Sequence, residues 1–134
     1  MLKMDAGLLR DFAERYTAAW CSQAPASVAA FFSPQGSLSV NGGAAAVGRI
    51  AISEVAQGFM TAFPDLEVLL DEVVLEGERA IYRWTLVGTN SGPGGTGKRV
   101  RISGLELWTM GPDGLIAESM GHFDHAGYER QLKA

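Results

Sequence analysis

Near the end of the chain, Glu118, His122 and Asp124 stand at even spacing in what reads as one extended segment. Alternate residues of a strand point to one face, so Asp124 is expected to share a side with His122, Met120, Glu118 and Ile116. A carboxylate two positions from an imidazole is a pairing suited to proton transfer. An apolar cavity raises a carboxyl's pKa and fits it to take a carbon-bound proton near neutral pH, and the imidazole would shuttle a proton or hold the carboxylate. Asp124 also stands just before Ala126 and Gly127, where it fits equally well as the cap of a terminal helix. His122 fits equally well as a partly buried residue bonded to a neighbouring backbone group. The run His122, Phe123, Asp124, His125 lacks helical ligand spacing and has no distant partner, so no metal site is expected.

A second carboxylate, Glu106, alternates with Gly104 and Trp108 among apolar neighbours. That setting points to a buried acid, held either as a site residue or in a structural ion pair with Arg83 on the adjacent strand. Trp20, Phe63, Trp84 and Trp108 would wall an apolar pocket, or fill the core as large aromatics commonly do. Asn41, ahead of Gly42 and Gly43, would either bond a ligand carbonyl or serve as a turn residue.

The elements that must position these residues follow from periodicity. Leu8, Leu9, Phe12, Tyr16, Ala19 and Trp20 recur at helical spacing behind a capping Asp5, predicting a helix over about 5–21. Pro25 opens a second helix carrying Val28, Phe31 and Phe32 until Ser33 and Pro34 stop it. Ser37 to Val40 reads as a short strand, and a third helix covers about Gly48 to Ala62 before Pro64. The period then becomes strand-like over 66–75, 80–89, 99–110 and 115–123, with turns at Glu76-Gly77-Glu78 and Gly111-Pro112-Asp113-Gly114. Ser91 to Gly97, with four glycines and one proline, is a loop, and 126–132 adds a last helical turn. Helices first and a strand meander after them predict an α+β layer whose sheet curls over the helices.

Bulk composition narrows the function classes. The chain has 134 residues, 47% hydrophobic and 19% charged, enough for one domain spanning residues 1–134 with a sizeable core. Its net charge of -4 and the shortness of its densest cationic stretch, Lys98 to Arg101, argue against nucleic acid. Cys21 stands alone, which excludes an internal disulfide. No apolar run approaches the roughly 18 residues needed to cross a bilayer, and the first ten residues do not read as a signal peptide. A soluble, cytoplasmic protein is expected.

The element order, Arg15-Tyr16 with Trp20, Gly48-Arg49, Ala62-Phe63-Pro64-Asp65-Leu66 and Val87 to Gly92 together resemble the nuclear-transport-factor-2-like superfamily. Thr96-Gly97-Lys98, Asp113-Gly114, Glu118 six residues ahead of Asp124, and Gln131-Leu132 look like its SnoaL-like polyketide cyclase branch. The resemblance implies a cone-shaped, curled antiparallel or mixed sheet on three helices, enclosing an apolar pocket, with homodimers formed through the sheet. It implies no cofactor and a small apolar molecule as partner. In the cyclases the aspartate matching Asp124 is the proposed general acid/base. Tyr16 matches the oxyanion-holding tyrosine of the ketosteroid isomerases, and Glu106 falls near their second, protonated acid.

Three departures bear on the chemistry. Asn41 stands near the isomerases' proton-abstracting aspartate, and an amide cannot be that base. The strand Arg83-Trp84-Thr85 lacks the Arg-x-Asp of limonene epoxide hydrolases. Met120 and Asn90 stand where the SnoaL-like pattern usually has tryptophan and histidine, and Met120 would keep an apolar, adaptable pocket wall of changed shape. Two functions are therefore expected. One is a cofactor-independent enzyme on a polyketide ester or ketone, with Asp124 as acid/base, His122 orienting it and Tyr16 or Asn41 holding an oxygen. The other is a non-catalytic binding or dimerisation module with the same pocket.

Overall fold

A computed structural model describes residues 5–134. Helix α1 (Ala6–Cys21) starts as its sequence predicts: Asp5 accepts from the Leu8 amide at 2.8 Å. Its buried stripe runs through Leu9, Phe12, Ala13, Tyr16 and Trp20. Helix α2 (Pro25–Ala29) is shorter than its apolar spacing suggested. Phe32 leaves the helix to begin β1 (Phe32–Val40), a strand of nine residues where four were expected. Pairing overrides the local pattern here: Phe32 lies beside Ile116, whose amide donates to the Phe31 carbonyl, and the Phe32 side chain is fully buried. The β1 register then shifts between Phe32 and Ser37, the stretch holding Pro34 and Gly36, which cannot sustain a regular ladder.

A two-residue strand β2 (Ala46–Val47) follows, inside what reads from sequence as loop. Helix α3 (Arg49–Ala62) comes after Gly48, whose φ of 88° requires glycine. The Arg49 guanidinium donates to the Phe32 carbonyl at 2.9 Å and ties α3 to β1. Strands β3 (Glu67–Glu76), β4 (Arg79–Thr89), β5 (Arg99–Met110) and β6 (Ile116–Phe123) lie within a residue or so of their predicted bounds. Helix α4 (His125–Lys133) ends the chain.

The six strands form one sheet in the order β2-β1-β6-β5-β4-β3, antiparallel except for the parallel β1–β6 pair. Its inner face packs on α1 and α3 around a core that includes Tyr16, Phe32, Ile52, Met60, Tyr82 and Trp108. This is the curled α+β cone expected from the sequence. Strand β6 ends opposite Gly104, so β5 runs on without that neighbour. There the Gln131 side chain of α4 accepts from the Arg101 amide at 2.6 Å and donates to the Arg101 carbonyl at 2.9 Å. One side-chain amide thereby takes the place of a strand residue.

One irregularity decides what the last strand shows to the interior. Thr109 pairs with Glu118 but Met110 pairs with Ile116, which leaves Ala117 as an extra residue in β6. A single inserted residue reverses the facing of everything beyond it. Ile116 is buried, yet after the bulge Ser119, Gly121 and Phe123 turn inward while Glu118 and His122 are exposed. The expectation that His122 and Asp124 share the inner face with Ile116 is thus corrected by the bulge.

Gly104 sits where β5 passes beneath the Trp84 ring. A Cβ there would stand 2.6 Å from Trp84 Cζ2 and also strike the His122 carbonyl. Gly104→Ala is expected to destabilise the fold by about 1–3 kcal/mol, as overpacking does, read as a lower urea midpoint with unchanged slope.

Candidate functional site: an apolar pocket closed by a buried acid

Between the sheet and the helices lies a partly open pocket of about 60 Å³. Helices α1 and α3 supply Trp20, Val55 and Phe59 to its wall, and β4 supplies Tyr82, Trp84 and Leu86. Strand β6 adds Gly121 and Phe123, and short aliphatic side chains of β1 and β3 complete it. Alternation along the strands places these residues inward, and the bulge at Ala117 brings Gly121 and Phe123 among them. Among these walls Glu106 is the single acid.

Glu106 is buried, with three donors directed at it. Trp108 Nε1 donates to Oε1 at 2.9 Å and Ser119 Oγ donates to the same oxygen at 2.7 Å. The Tyr16 hydroxyl lies 3.0 Å from Oε1 and 3.1 Å from Oε2, sharing one proton between them. The expected ion pair with Arg83 does not form. Arg83 pairs with Leu105 on the outer face of the sheet, where its guanidinium lies 3.8 Å from Glu72. Burial raises the Glu106 carboxyl above the usual carboxylate range, opposed by its bonds from Trp108, Ser119 and Tyr16.

The phenols around it are held in their neutral form. Burial, followed by the nearby Glu106 charge, pushes Tyr16 well above the ordinary phenol value. Burial likewise raises Tyr82, opposed by its bond to Thr17. Thr17 Oγ1 gives its proton to the Ala13 carbonyl at 2.7 Å, so in its 2.6 Å contact with Tyr82 the phenol is the donor. Tyr82 stacks on Trp108 with centroids 4.8 Å apart, which fixes the indole that holds Glu106.

The structure divides the sequence-predicted residues into two sets. Trp20, Trp84 and Glu106 line the pocket, while Tyr16 and Trp108 reach it through Glu106. Phe63 is fully buried beneath Gly88 and 6.4 Å from the Tyr128 ring, a packing residue rather than a wall. Met120 points to the outer face beside Leu107. Asp124 caps α4, accepting from the Gly127 amide at 3.1 Å, with its side chain 74% exposed and 3.8 Å from Arg130. His122 is exposed on the outer face opposite Leu105. Neither reaches the pocket, which corrects their expected placement as an inward acid–imidazole pair.

Asn41 adopts φ 51°, and its Oδ1 accepts from the Phe123 amide at 2.9 Å. It is bound to the last residue of β6, whose side chain lines the pocket. Asn90 organises the glycine-rich loop by accepting from Thr96, and Thr85 bonds Asp71 and Ser103 on the outer face. Sequence reasoning missed Ser119, and among the wall residues Phe59, Tyr82 and Phe123. For Ser119, the signal was its register opposite Trp108, legible only once the bulge is known. Among the described residues, no group of three or more His, Cys, Asp or Glu side chains is placed to hold a metal ion.

The cone, with an apolar interior and one acid at its wall, has the nuclear-transport-factor-2-like fold. The family model described as SnoaL-like polyketide cyclase matches residues 10–132, and the chain belongs to that family. No curated protein matches the chain. Among solved structures it is similar to TsrD from Streptomyces laurentii, at 23% identity over 97% of this chain and 98% of that one, with a TM-score of 0.83. AclR, a putative hydroxylase from Streptomyces galilaeus, is 21% identical over 96% and 98% of the two chains, with a TM-score of 0.81. A ketosteroid-isomerase-like protein from Catenulispora acidiphila, crystallised with trimethylamine, is 15% identical over 92% of each chain, with a TM-score of 0.80. At these identities the likenesses establish the fold.

Because folding raises the Glu106 pKa, the folded chain holds its proton to higher pH than the unfolded chain. The contribution is complete below the unfolded carboxyl value and is lost as pH rises through the folded one. Glu106→Gln, which cannot ionise, is therefore expected to gain stability relative to the parent across that window. Paired urea titrations at stepped pH check it; a constant difference would remove the raised acid.

Proposed function

We propose that this protein is a cofactor-independent enzyme of the cyclase or isomerase type. It takes a small apolar, oxygenated molecule, such as a polyketide ester or ketone, into the cone and exchanges a proton with it through Glu106. The observation that carries this reading is the burial of Glu106 at the wall of an otherwise apolar cavity, with three donors and, among the described residues, no cation beside it. A carboxyl kept protonated by desolvation can donate to a ligand carbonyl, and its conjugate base can take a carbon-bound proton. Tyr16, Trp108 and Ser119 hold the acid, while Trp20, Phe59, Trp84 and Phe123 shape the apolar volume. Family membership supports the reaction class.

A non-catalytic binding function is favoured by a different observation. Among the described residues the pocket wall holds no second carboxyl and no imidazole beside Glu106, since Asp124 and His122 lie outside it. One variant separates the readings. Glu106→Gln is expected to lower turnover of aromatic ketones or polyketide esters by on the order of 10²-fold or more, while binding, followed by tryptophan fluorescence, changes little. Asp124→Asn is expected to leave turnover intact. Binding by both proteins with turnover by neither supports the binding module.

We propose that the homodimer implied by the family forms through the outer face of the sheet. Leu69 and Val74 of β3 are 42% and 38% exposed there, apolar surface that a second copy would cover. Leu69→Lys is expected to shift the protein towards monomer in sedimentation velocity, and an unchanged sedimentation coefficient would move the interface elsewhere.

A further inference from the structure

The two oxygens of Glu106 are not equivalent. Oε1 receives the Trp108 indole at 2.9 Å, the Ser119 hydroxyl at 2.7 Å and one arm of the shared Tyr16 proton at 3.0 Å, whereas Oε2 has only the other arm of that proton at 3.1 Å. A carboxyl oxygen has two in-plane lone pairs, and an indole N–H can only donate. With both lone pairs of Oε1 filled, that oxygen can accept a proton only by expelling a donor. Reversing the Ser119 bond does not help. The Ser119 hydroxyl would then need another acceptor, and its one partner in the structure is Oε1. Oε2 receives no donor besides its share of the Tyr16 proton and keeps free capacity to carry one of its own.

We propose that Ser119, together with Trp108, is a positioning residue that fixes Oε1 as the carbonyl oxygen of Glu106 and leaves Oε2 as the atom that carries and exchanges the proton. The inference deepens the reading of Glu106 as the pocket's proton-exchanging group and rests on it for any role in turnover. The titratable groups facing Glu106 are phenols, Tyr16 from α1 and Tyr82 from β4; α3, β1, β3 and β6 line the cavity with apolar residues and glycine, and Ser119 stands behind them. Among the described residues no neighbouring charge competes with Ser119 for control of the carboxyl. Ser119 is itself fully buried, so solvent does not substitute for its hydroxyl.

The test reads the acid directly in the free protein. Infrared difference spectra of the parent against Glu106→Gln isolate the C=O stretch of the protonated Glu106 and follow its loss as pH rises. Ser119→Ala is expected to raise the frequency of that stretch, because the carbonyl oxygen loses a donor. It is also expected to move the titration midpoint upward by about one pH unit, the value of one hydrogen bond to an ionised group. Ser119→Cys, a weaker donor at nearly the same volume, is expected to move both in the same direction by less, and it serves if the alanine variant does not fold. An unchanged stretch in the variants overturns the assignment of the proton to Oε2. Because no ligand is needed, a positive infrared result beside inactive ketone assays would sink the proposed enzyme function and leave this inference standing.

Discussion

The burial of Glu106 is the constraint on which the interior depends. A carboxyl withdrawn from water carries a large desolvation penalty unless its oxygens are satisfied. The partners that satisfy it come from α1, β5 and β6, so one side chain binds a helix to two strands. Trp108 is in turn fixed by stacking on Tyr82, and Tyr82 by Thr17 of α1. Helix position, sheet curvature and pocket wall are thus set by one connected polar network inside an apolar core. Such a network specifies its geometry closely, because a half-satisfied version costs more than an apolar replacement.

Much of the fold was legible in the sequence because its signals are local. Helix periodicity, the Asp5 cap, the turn residues and the long alternating strands each report on their neighbours in the chain. The errors fall where a distant partner overrides the local pattern. Phe32 has helical spacing but is taken by pairing beside Ile116, and Ala46–Val47 becomes a strand only because β1 lies alongside. Residues such as Trp20, Trp84 and Glu106 were found because large or charged side chains in apolar settings stand out. Ser119 did not stand out, since a lone serine carries no periodic signal.

The Asp124–His122 expectation failed for one identifiable reason. Alternation by two holds only while the strand is regular, and Ala117 interrupts it. Had the ladder continued, His122 would have faced the cavity and Phe123 the outside. The bulge instead gives the pocket an aromatic wall and Gly121 opposite Glu106, leaving room beside the acid. Asp124 then lies beyond the strand, where its short side chain reaches the first amides of α4.

The Gln131 amide that occupies Arg101 has a meaning for behaviour in a crowded solution. Where β6 stops short, β5 would otherwise offer a bare amide and carbonyl, the docking pattern by which strands of separate molecules zip together. By filling those two groups from its own terminal helix, the chain carries a built-in guard against runaway strand addition at that stretch of β5.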